Sequence, residues 1–103
     1  MISDGKKQKG SVLVADDDNH LGKQLSALID RMGYDVVVTG NGENALDLFL
    51  NRQFDAVFTA LKMPGMDGLT LSLQVKASSL NTPVVLILDE HLEYFMNRIK
   101  AGR

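Results

Sequence analysis

Residues 55–68 read DAVFTALKMPGMDG, and this stretch carries the signals that decide the fold. Its first half is a short apolar run, typical of a strand that is covered on both faces of a sheet. Its second half contains a proline and two glycines, which indicate a loop. The residue at the junction of run and loop is Ala60. The central question is whether this alanine stands where a functional side chain is needed.

Similar apolar runs recur along the chain. Strands are predicted at residues 11–15, 34–39, 55–60 and 83–88. After the first strand, apolar residues at helical spacing predict a helix whose buried face consists of Leu21, Leu25, Leu28, Ile29 and Met32. A shorter helix is predicted from about Ala45 to Asn51. A final helix is predicted from Asp89 to Gly102, with a core-facing stripe of Leu92, Phe95, Met96 and Ile99.

The segment after the MPGMDG loop gives two conflicting signals. Leu69, Leu71, Leu73 and Val75 alternate with polar residues, which by periodicity alone indicates a strand. Strands that alternate with helices form parallel sheets, however, and a parallel pair needs a crossover connection between its strands. We therefore predict a helix here, with Asp67 near its N-cap.

The alternation of strands and helices predicts an α/β fold with a doubly wound parallel sheet. In such sheets, sites form beyond the carboxyl ends of the strands. The residues at these ends are Asp16 and Asp17 after the first strand, Ala60 after the third, and Leu88 after the fourth.

Composition narrows the function classes. The chain has 103 residues, which fits a single domain. Its formal charge of −2 gives no global reason to expect nucleic-acid binding, and the absence of cysteine excludes thiol chemistry. No segment approaches the roughly 20 apolar residues of a membrane span. The first ten residues do not resemble a secretion signal. We expect a cytoplasmic domain at 11–103 preceded by a flexible polar tail at 1–10, without membrane or direct nucleic-acid partners.

The sequence resembles the receiver domain of bacterial two-component response regulators. The resemblance rests on VLVADDD at 12–18, GYDVVVTGNGENAL at 33–46, DAVFTALKMPGMDG at 55–68 and TPVVLIL at 82–88. It implies a flavodoxin-like fold with strand order 2-1-3-4, in which strand five and helix five are missing from this chain.

The resemblance also implies a phosphorylation site. Receivers hold Mg²⁺ through residues that correspond to Asp17 directly, Asp16 mostly through water, and the backbone carbonyl of Lys62. Their phosphoacceptor aspartate lies four residues before the proline of the loop, and here that position is Ala60. The hydroxyl residue that contacts the phosphoryl group falls on Leu88. We therefore expect no phosphate acceptance, and weak or lost Mg²⁺ binding.

The resulting prediction is a phosphorelay receiver module that acts through protein–protein contacts. The resemblance suggests a histidine kinase or another signalling protein as partner, and Glu93, Tyr94 and Asn97 as a candidate partner surface. An unpaired edge on strand four also predicts self-association.

Two alternatives remain open. In the first, the chain is an authentic phosphorylatable receiver that carries a deliberate Asp-to-Ala change at position 60, where Ala60 now stands. In a different class, Asp16 and Asp18 form a D-x-D pair similar to that of small Mg²⁺-dependent phosphatases of the haloacid dehalogenase type.

Overall fold

The computed structural model of the chain describes residues 9–17, 19–88 and 97–100. The elements follow in the order β1 (Ser11–Ala15), α1 (Asn19–Arg31), β2 (Asp35–Thr39), α2 (Gly42–Asn51), β3 (Ala56–Ala60), α3 (Gly68–Ser78) and β4 (Val84–Ile87). Residues 97–100 are also helical. The four strands form one parallel sheet in the order β2-β1-β3-β4, as predicted.

Two apolar clusters cover the two faces of this sheet. The larger cluster joins the sheet to α2 and α3, and its buried members are Leu13, Ala15, Ala45, Phe54, Val57, Ala60, Met63, Leu71 and Val75. The second joins the sheet to α1, and its buried members are Val12, Val14, Leu25, Ile29 and Ile87. Successive β1 residues alternate between the clusters because side chains alternate across a strand. Both faces of the central strands are therefore apolar.

The ambiguous segment after the loop is a helix. The Asp67 carboxylate accepts a hydrogen bond from the backbone N–H of Thr70 at 2.8 Å and so caps the first turn of α3. Leu71 and Val75 lie four residues apart and are fully buried, whereas Leu73 is 64% exposed. The alternation in the sequence thus comes from two apolar stripes on one helix, of which only one faces the core.

Some boundaries and burial assignments differ from the sequence-based expectation. Three predicted strands are shorter by a residue or two, since β2 begins at Asp35, β3 at Ala56, and β4 spans Val84–Ile87. The sequence places Met32 in the core, but this residue directly follows the end of α1 and is 53% exposed. Ile99, also predicted in the core, is 43% exposed.

Several predictions fall outside the described residues. They concern Asp18, Asp89, Leu92, Glu93, Tyr94, Phe95, Met96 and residues 1–8 of the predicted tail. The last two residues of that tail are described. Lys9 places its ammonium group 5.9 Å from the centre of the Tyr34 ring, and the Gly10 carbonyl accepts a hydrogen bond from Asp35.

Candidate functional site

The site lies where β1 and β3 end side by side. Ala15 pairs with Thr59 in the parallel register. The next residues along the two strands, Asp16 and Ala60, therefore lie at the same end of the sheet, the end at which its strands finish. Asp16 is only 2% exposed, and its backbone N–H donates to the carbonyl of Thr39 at 2.9 Å. A buried acid is thus fixed at the carboxyl end of the sheet, where sites form in this class of fold.

Helix α1 passes close to this acid. A Cβ atom at Gly22 would lie 3.5 Å from the Cβ of Asp16, an ordinary van der Waals distance, so this turn of the helix packs directly beside the end of the strand. Asp17, the next residue after Asp16, is exposed. The two neighbouring carboxylates therefore have different environments, one enclosed by the protein and one open to water.

Ala60 is the last residue of β3 and is 3% exposed. It pairs with Ile87, and the following N–H, that of Leu61, donates to the Ile87 carbonyl at 3.2 Å. Its side chain presents only a methyl group to the site. The position is therefore enclosed within the sheet, and it offers no side-chain oxygen.

Two polar neighbours of Ala60 along β3 are engaged elsewhere. Thr59 is fully buried, and its hydroxyl donates to the backbone carbonyl of Ala60 at 2.9 Å. Asp55 precedes the strand, and its carboxylate accepts from the N–H of Ser11 at 2.8 Å, at the opposite end of the sheet. Neither side chain replaces an oxygen at position 60.

The loop after β3 turns back directly onto the strand end. The N–H of Gly68 donates to the Leu61 carbonyl at 2.8 Å. A Cβ atom on Gly68 would overlap the carbonyl oxygen of Ala60 and lie 3.0 Å from the Leu61 Cα. The start of α3 can approach β3 this closely only because residue 68 is glycine.

The loop is also held from α2. Glu43, in the first turn of α2, accepts a hydrogen bond from the N–H of Met66 at 3.2 Å. Gly65 has a φ of +75°, a conformation that glycine adopts readily, and a Cβ atom there would lie 2.9 Å from the Glu43 Oε2. Sequence reasoning missed this contact, because nothing in the sequence pairs Glu43 with a loop 23 residues later.

Asp67 completes the support of the loop. Its hydrogen bond from the N–H of Thr70 lowers the pKa of this carboxyl below its ordinary value of 3.8. The charged form is favoured because it accepts this bond at the positive end of a helix. Asp67 is thus a helix cap, as predicted, and is not directed at position 60.

The expected magnesium ligands are incomplete among the described residues. Asp16 and Asp17 supply two carboxylates, and Lys62 supplies a backbone carbonyl two residues after Ala60. The methyl group of Ala60 cannot supply the third carboxylate. Within residues 9–17, 19–88 and 97–100, no three acidic, histidine or cysteine side chains are grouped as a metal site would need. The full ligand set implied by the resemblance is therefore not present in the described part of the chain.

The remaining candidate residues lie farther along the chain. Leu88 follows β4 and is 37% exposed, so it presents an apolar surface where the resemblance implies a hydroxyl. Of the candidate partner surface, only Asn97 is described, and it is exposed on the helical segment 97–100.

In the described ranges, no helix has the length and apolar character needed to cross a membrane.

Comparisons with known proteins agree with this fold. A family profile described as the response regulator receiver domain matches residues 12–102. The response regulator MprA of Mycobacterium is 33% identical over 76 residues, which cover 74% of this chain and 33% of MprA. The transcriptional regulatory protein RprY of Bacteroides fragilis is 28% identical over 92% of this chain and 41% of its own length. The chain thus spans less than half the length of these relatives.

Solved structures show the same likeness. The receiver domain of a Francisella response regulator has a TM-score of 0.72 at 30% identity, over 78% of this chain and 66% of that one. The Thermotoga maritima response regulator TrrA, in complex with Mg²⁺ and BeF, has a TM-score of 0.73 at 27% identity, over 76% and 68%. With the fold, the strand order and the family profile in agreement, this chain belongs to the response regulator receiver domain family.

Proposed function

We propose that this chain is a two-component receiver module that does not accept a phosphoryl group and acts through contacts with other proteins. The observation that supports the proposal is the buried methyl group of Ala60, at the end of β3 and on the same sheet edge as Asp16. The receiver resemblance assigns the phosphoacceptor to this position. A methyl group has no lone pair with which to attack phosphorus.

The same proposal includes weak or lost binding of Mg²⁺. Mg²⁺ prefers oxygen ligands and is usually held through one or two carboxylates together with water and phosphate oxygens. Asp16 and Asp17 retain two carboxylates, but position 60 contributes neither a ligand nor a phosphoryl group. Leu88 likewise lacks the hydroxyl that would hold phosphoryl oxygens.

The proposed partner is a histidine kinase or another signalling protein. TrrA has also been solved in complex with the histidine kinase ThkA, and that structure matches this chain at 28% identity. Without phosphate, the balance between conformations of this module is set by packing and by the partner, since a ligand shifts an equilibrium only through its different affinities for the two states. Glu93, Tyr94 and Asn97 remain the candidate contact surface.

Treatment with a small phosphodonor tests the proposal. The chain with Ala60 and the variants Ala60→Asp and Ala60→Asn are incubated with acetyl phosphate and Mg²⁺, and their intact masses are measured. We expect no covalent phosphate on the chain with Ala60. Phosphate on that chain would refute the proposal, whereas Ala60→Asn controls for the larger polar side chain without a nucleophile.

The Ala60→Asp variant also separates the proposal from the closest alternative, an otherwise intact receiver with an Asp-to-Ala change. That alternative is supported by the retained surroundings of position 60, namely buried Asp16 and the close approach of Gly68. If Ala60→Asp becomes phosphorylated, the alternative gains support. If it folds yet stays unlabelled, other features such as Leu88 also block the chemistry.

We assign no enzymatic activity to the chain. The phosphatase alternative uses Asp16 and Asp18, and Asp18 lies outside the described residues. Turnover of an aryl phosphate with Mg²⁺ that is abolished by Asp16→Asn would establish that alternative instead.

We also propose that the chain self-associates through the outer edge of β4. The N–H groups of Val57 and Leu61 donate to the carbonyls of Pro83 and Ile87, so these two residues face β3. Successive residues of a strand direct their backbone polar groups to opposite sides, so Val85 also faces β3, whereas Val84 and Leu86 direct theirs outward. Within the described residues no strand covers that edge, and an uncovered edge is a template for pairing.

A further inference from the structure

Strand β2 forms one edge of the sheet. In the part of the chain that the structure describes, β2 has only β1 beside it, and the two strands pair without a bulge from Asp35 to Thr39. No residue of β2 is buried, although its sequence, DVVVT, is mostly valine. Within the described residues, an apolar strand is thus open along its outer side.

This edge lacks the features that usually prevent strand pairing between chains. Natural edge strands are commonly protected by a lysine, a proline or a bulge. In β2 there is neither lysine nor proline, and the register with β1 is continuous. Its valines favour extended backbone, and Val38 adds apolar surface because it is 45% exposed. The strand is therefore suited to receive another strand.

The hydrogen bonds of β2 show which of its backbone groups point outward. The N–H of Asp35 donates to, and the carbonyl of Thr39 accepts from, the residues that flank β1. Because successive residues direct their polar groups to opposite sides, Val37 also faces β1. The N–H and carbonyl groups of Val36 and Val38 therefore point away from the sheet.

We propose that β2 is a self-association edge, to which a second copy of the chain adds its own β2 in antiparallel orientation. A two-fold axis through Val37 places Val36 of each copy opposite Val38 of the other. Residues in such positions exchange both of their N–H···O bonds, so the outward groups of the two edges satisfy each other. This mode of association depends neither on phosphate acceptance at position 60 nor on pairing at β4.

Helix α1 favours a second copy over an isolated peptide as the added strand. An antiparallel pair about a two-fold axis keeps equivalent faces of the two sheets on the same side. Since α1 contacts both β1 and β2, its axis lies over the gap between them. With strands about 4.8 Å apart, the two copies of α1 lie about 10 Å apart, close to the distance of packed helices.

The relative heights of α1 and β2 determine which helix residues meet. A Cβ atom at Gly22 would lie 3.5 Å from the Asp16 Cβ and 3.8 Å from the Val38 Cγ1. Gly22 is therefore about two strand residues, or about 6.6 Å, beyond Val37. Helix α1 runs back towards the start of β2 at about 1.5 Å per residue, so it passes the level of Val37 about four residues later, at Ser26.

The side of α1 that points beyond β2 carries charges that match under the same axis. Leu25 and Leu28 are on the opposite side of the helix, where they line a surface groove together with Phe58 of β3. Helical spacing places the exposed residues Lys23 and Asp30 on the side towards the β2 edge.

These two charges lie at nearly equal distances from the axis. Lys23 precedes Ser26 by three residues, and Asp30 follows it by four. The axis through Val37 therefore sets Lys23 of each copy beside Asp30 of the other. Exposed ion pairs contribute little energy, but complementary charges select a partner and fix its register. The hydrogen bonds and the charges thus both fit a second copy of this chain.

Cysteine cross-linking tests the register. Opposite residues without mutual hydrogen bonds in an antiparallel pair have Cα atoms about 4.5 Å apart, within the roughly 4.4–6.8 Å that a disulfide spans. Because the chain has no cysteine, Val37→Cys is expected to form a disulfide-linked dimer on mild oxidation. Val85→Cys, whose polar groups face β3 in the same way, reports pairing at the β4 edge instead.

Sedimentation over a range of chain concentrations measures the dimer. Val38→Lys places a charge on the edge and is expected to weaken dimerisation by more than about tenfold. Val85→Lys is the matched control, because Val85 is also a half-exposed strand valine, 42% exposed, but lies on the opposite edge strand. Circular dichroism confirms that both variants are folded.

Charge reversal on α1 tests the contact without changing the strand. Lys23→Glu or Asp30→Lys alone sets like charges opposite each other and should weaken dimerisation by about fivefold or more. The two substitutions together restore opposite charges and should recover the dimer. A merely local effect on α1 would not be reversed in this way.

Three outcomes would overturn the inference. The first is a chain that stays monomeric at every concentration. The second is cross-linking through Val85→Cys but not through Val37→Cys, which would place the contact at β4. The third is a dimer that does not respond to either single charge reversal, since α1 would then not meet its copy. Each leaves phosphate acceptance, measured separately at Ala60, unaffected.

Discussion

The substitution Gly68→Ala tests how the site is held together. Gly68 is the first residue of α3, where its N–H donates to the Leu61 carbonyl. The added methyl carbon would overlap the carbonyl oxygen of Ala60 and lie 2.9 Å from its carbonyl carbon. These neighbours are backbone atoms of a buried strand end and cannot rotate away. Helix α3 or the end of β3 must therefore move.

The size of the effect follows from two opposing contributions. Forcing an extra methyl group into a packed site costs about 1–3 kcal/mol, and backbone neighbours place Gly68→Ala towards the upper end. Alanine in place of glycine in a helix returns about 0.5–1 kcal/mol. We expect the free energy of unfolding to fall by about 2 kcal/mol, a large part of the roughly 5–15 kcal/mol typical of a domain.

Urea unfolding followed by far-ultraviolet circular dichroism measures this change. The matched control is Gly40→Ala, because a Cβ atom at Gly40 would meet nothing within 4 Å. We expect the control to stay within about 0.5 kcal/mol of the unsubstituted chain. If Gly68→Ala unfolds at the same urea concentration as the unsubstituted chain, α3 does not approach β3 as described, and the account of the site fails.

Three further predictions concern the loop and α3. In urea unfolding, Leu71→Ala should lower the free energy of unfolding by about 2–5 kcal/mol, because Leu71 is buried. Leu73→Ala should change it by less than about 0.5 kcal/mol, because Leu73 is exposed. Equal effects of the two substitutions would contradict the helix register. Glu43→Ala should speed hydrogen exchange at the Met66 amide, which loses its acceptor, while Glu43→Gln retains a carbonyl acceptor and should slow exchange again. Because the pKa of Asp67 is lowered on folding, its charge stabilises the fold above the unfolded pKa, near 3.8, and this contribution is lost as pH falls through the folded pKa. Asp67→Asn keeps a cap acceptor and should flatten that acid limb in pH-dependent melts; an unchanged limb would exclude Asp67 as its source.

The sequence predicted the parallel sheet because its strong local signals agree with one another. The sequence contains four apolar runs, each followed by a turn or helix signal. Because two parallel strands must be joined by a crossover, usually a helix, few arrangements of these strands and helices are possible. The strand order came from the receiver resemblance and is confirmed. Strand ends were less predictable. Tyr34 and Pro83, for example, are predicted within strands but immediately precede them.

Burial was harder to predict than secondary structure. Met32 continues the apolar periodicity of α1, but the helix ends one residue earlier and the side chain is 53% exposed. Leu73 completes an alternating pattern, yet the helix turns it to solvent. In both cases periodicity identified apolar residues correctly, but only the tertiary arrangement decides which of them are covered.

The candidate site divides into features that local sequence reveals and features that depend on long-range contacts. The acids after β1, the alanine after β3 and the capping role of Asp67 follow from local pattern and the resemblance. The bond from Met66 to Glu43 and the overlap that excludes a side chain at Gly68 depend on elements distant in sequence. None of these long-range contacts uses the side chain at position 60. On the proposed function, the loop after β3 therefore keeps its shape without a carboxylate there, so a surface that partners recognise can persist after the capacity to take up phosphate has been lost.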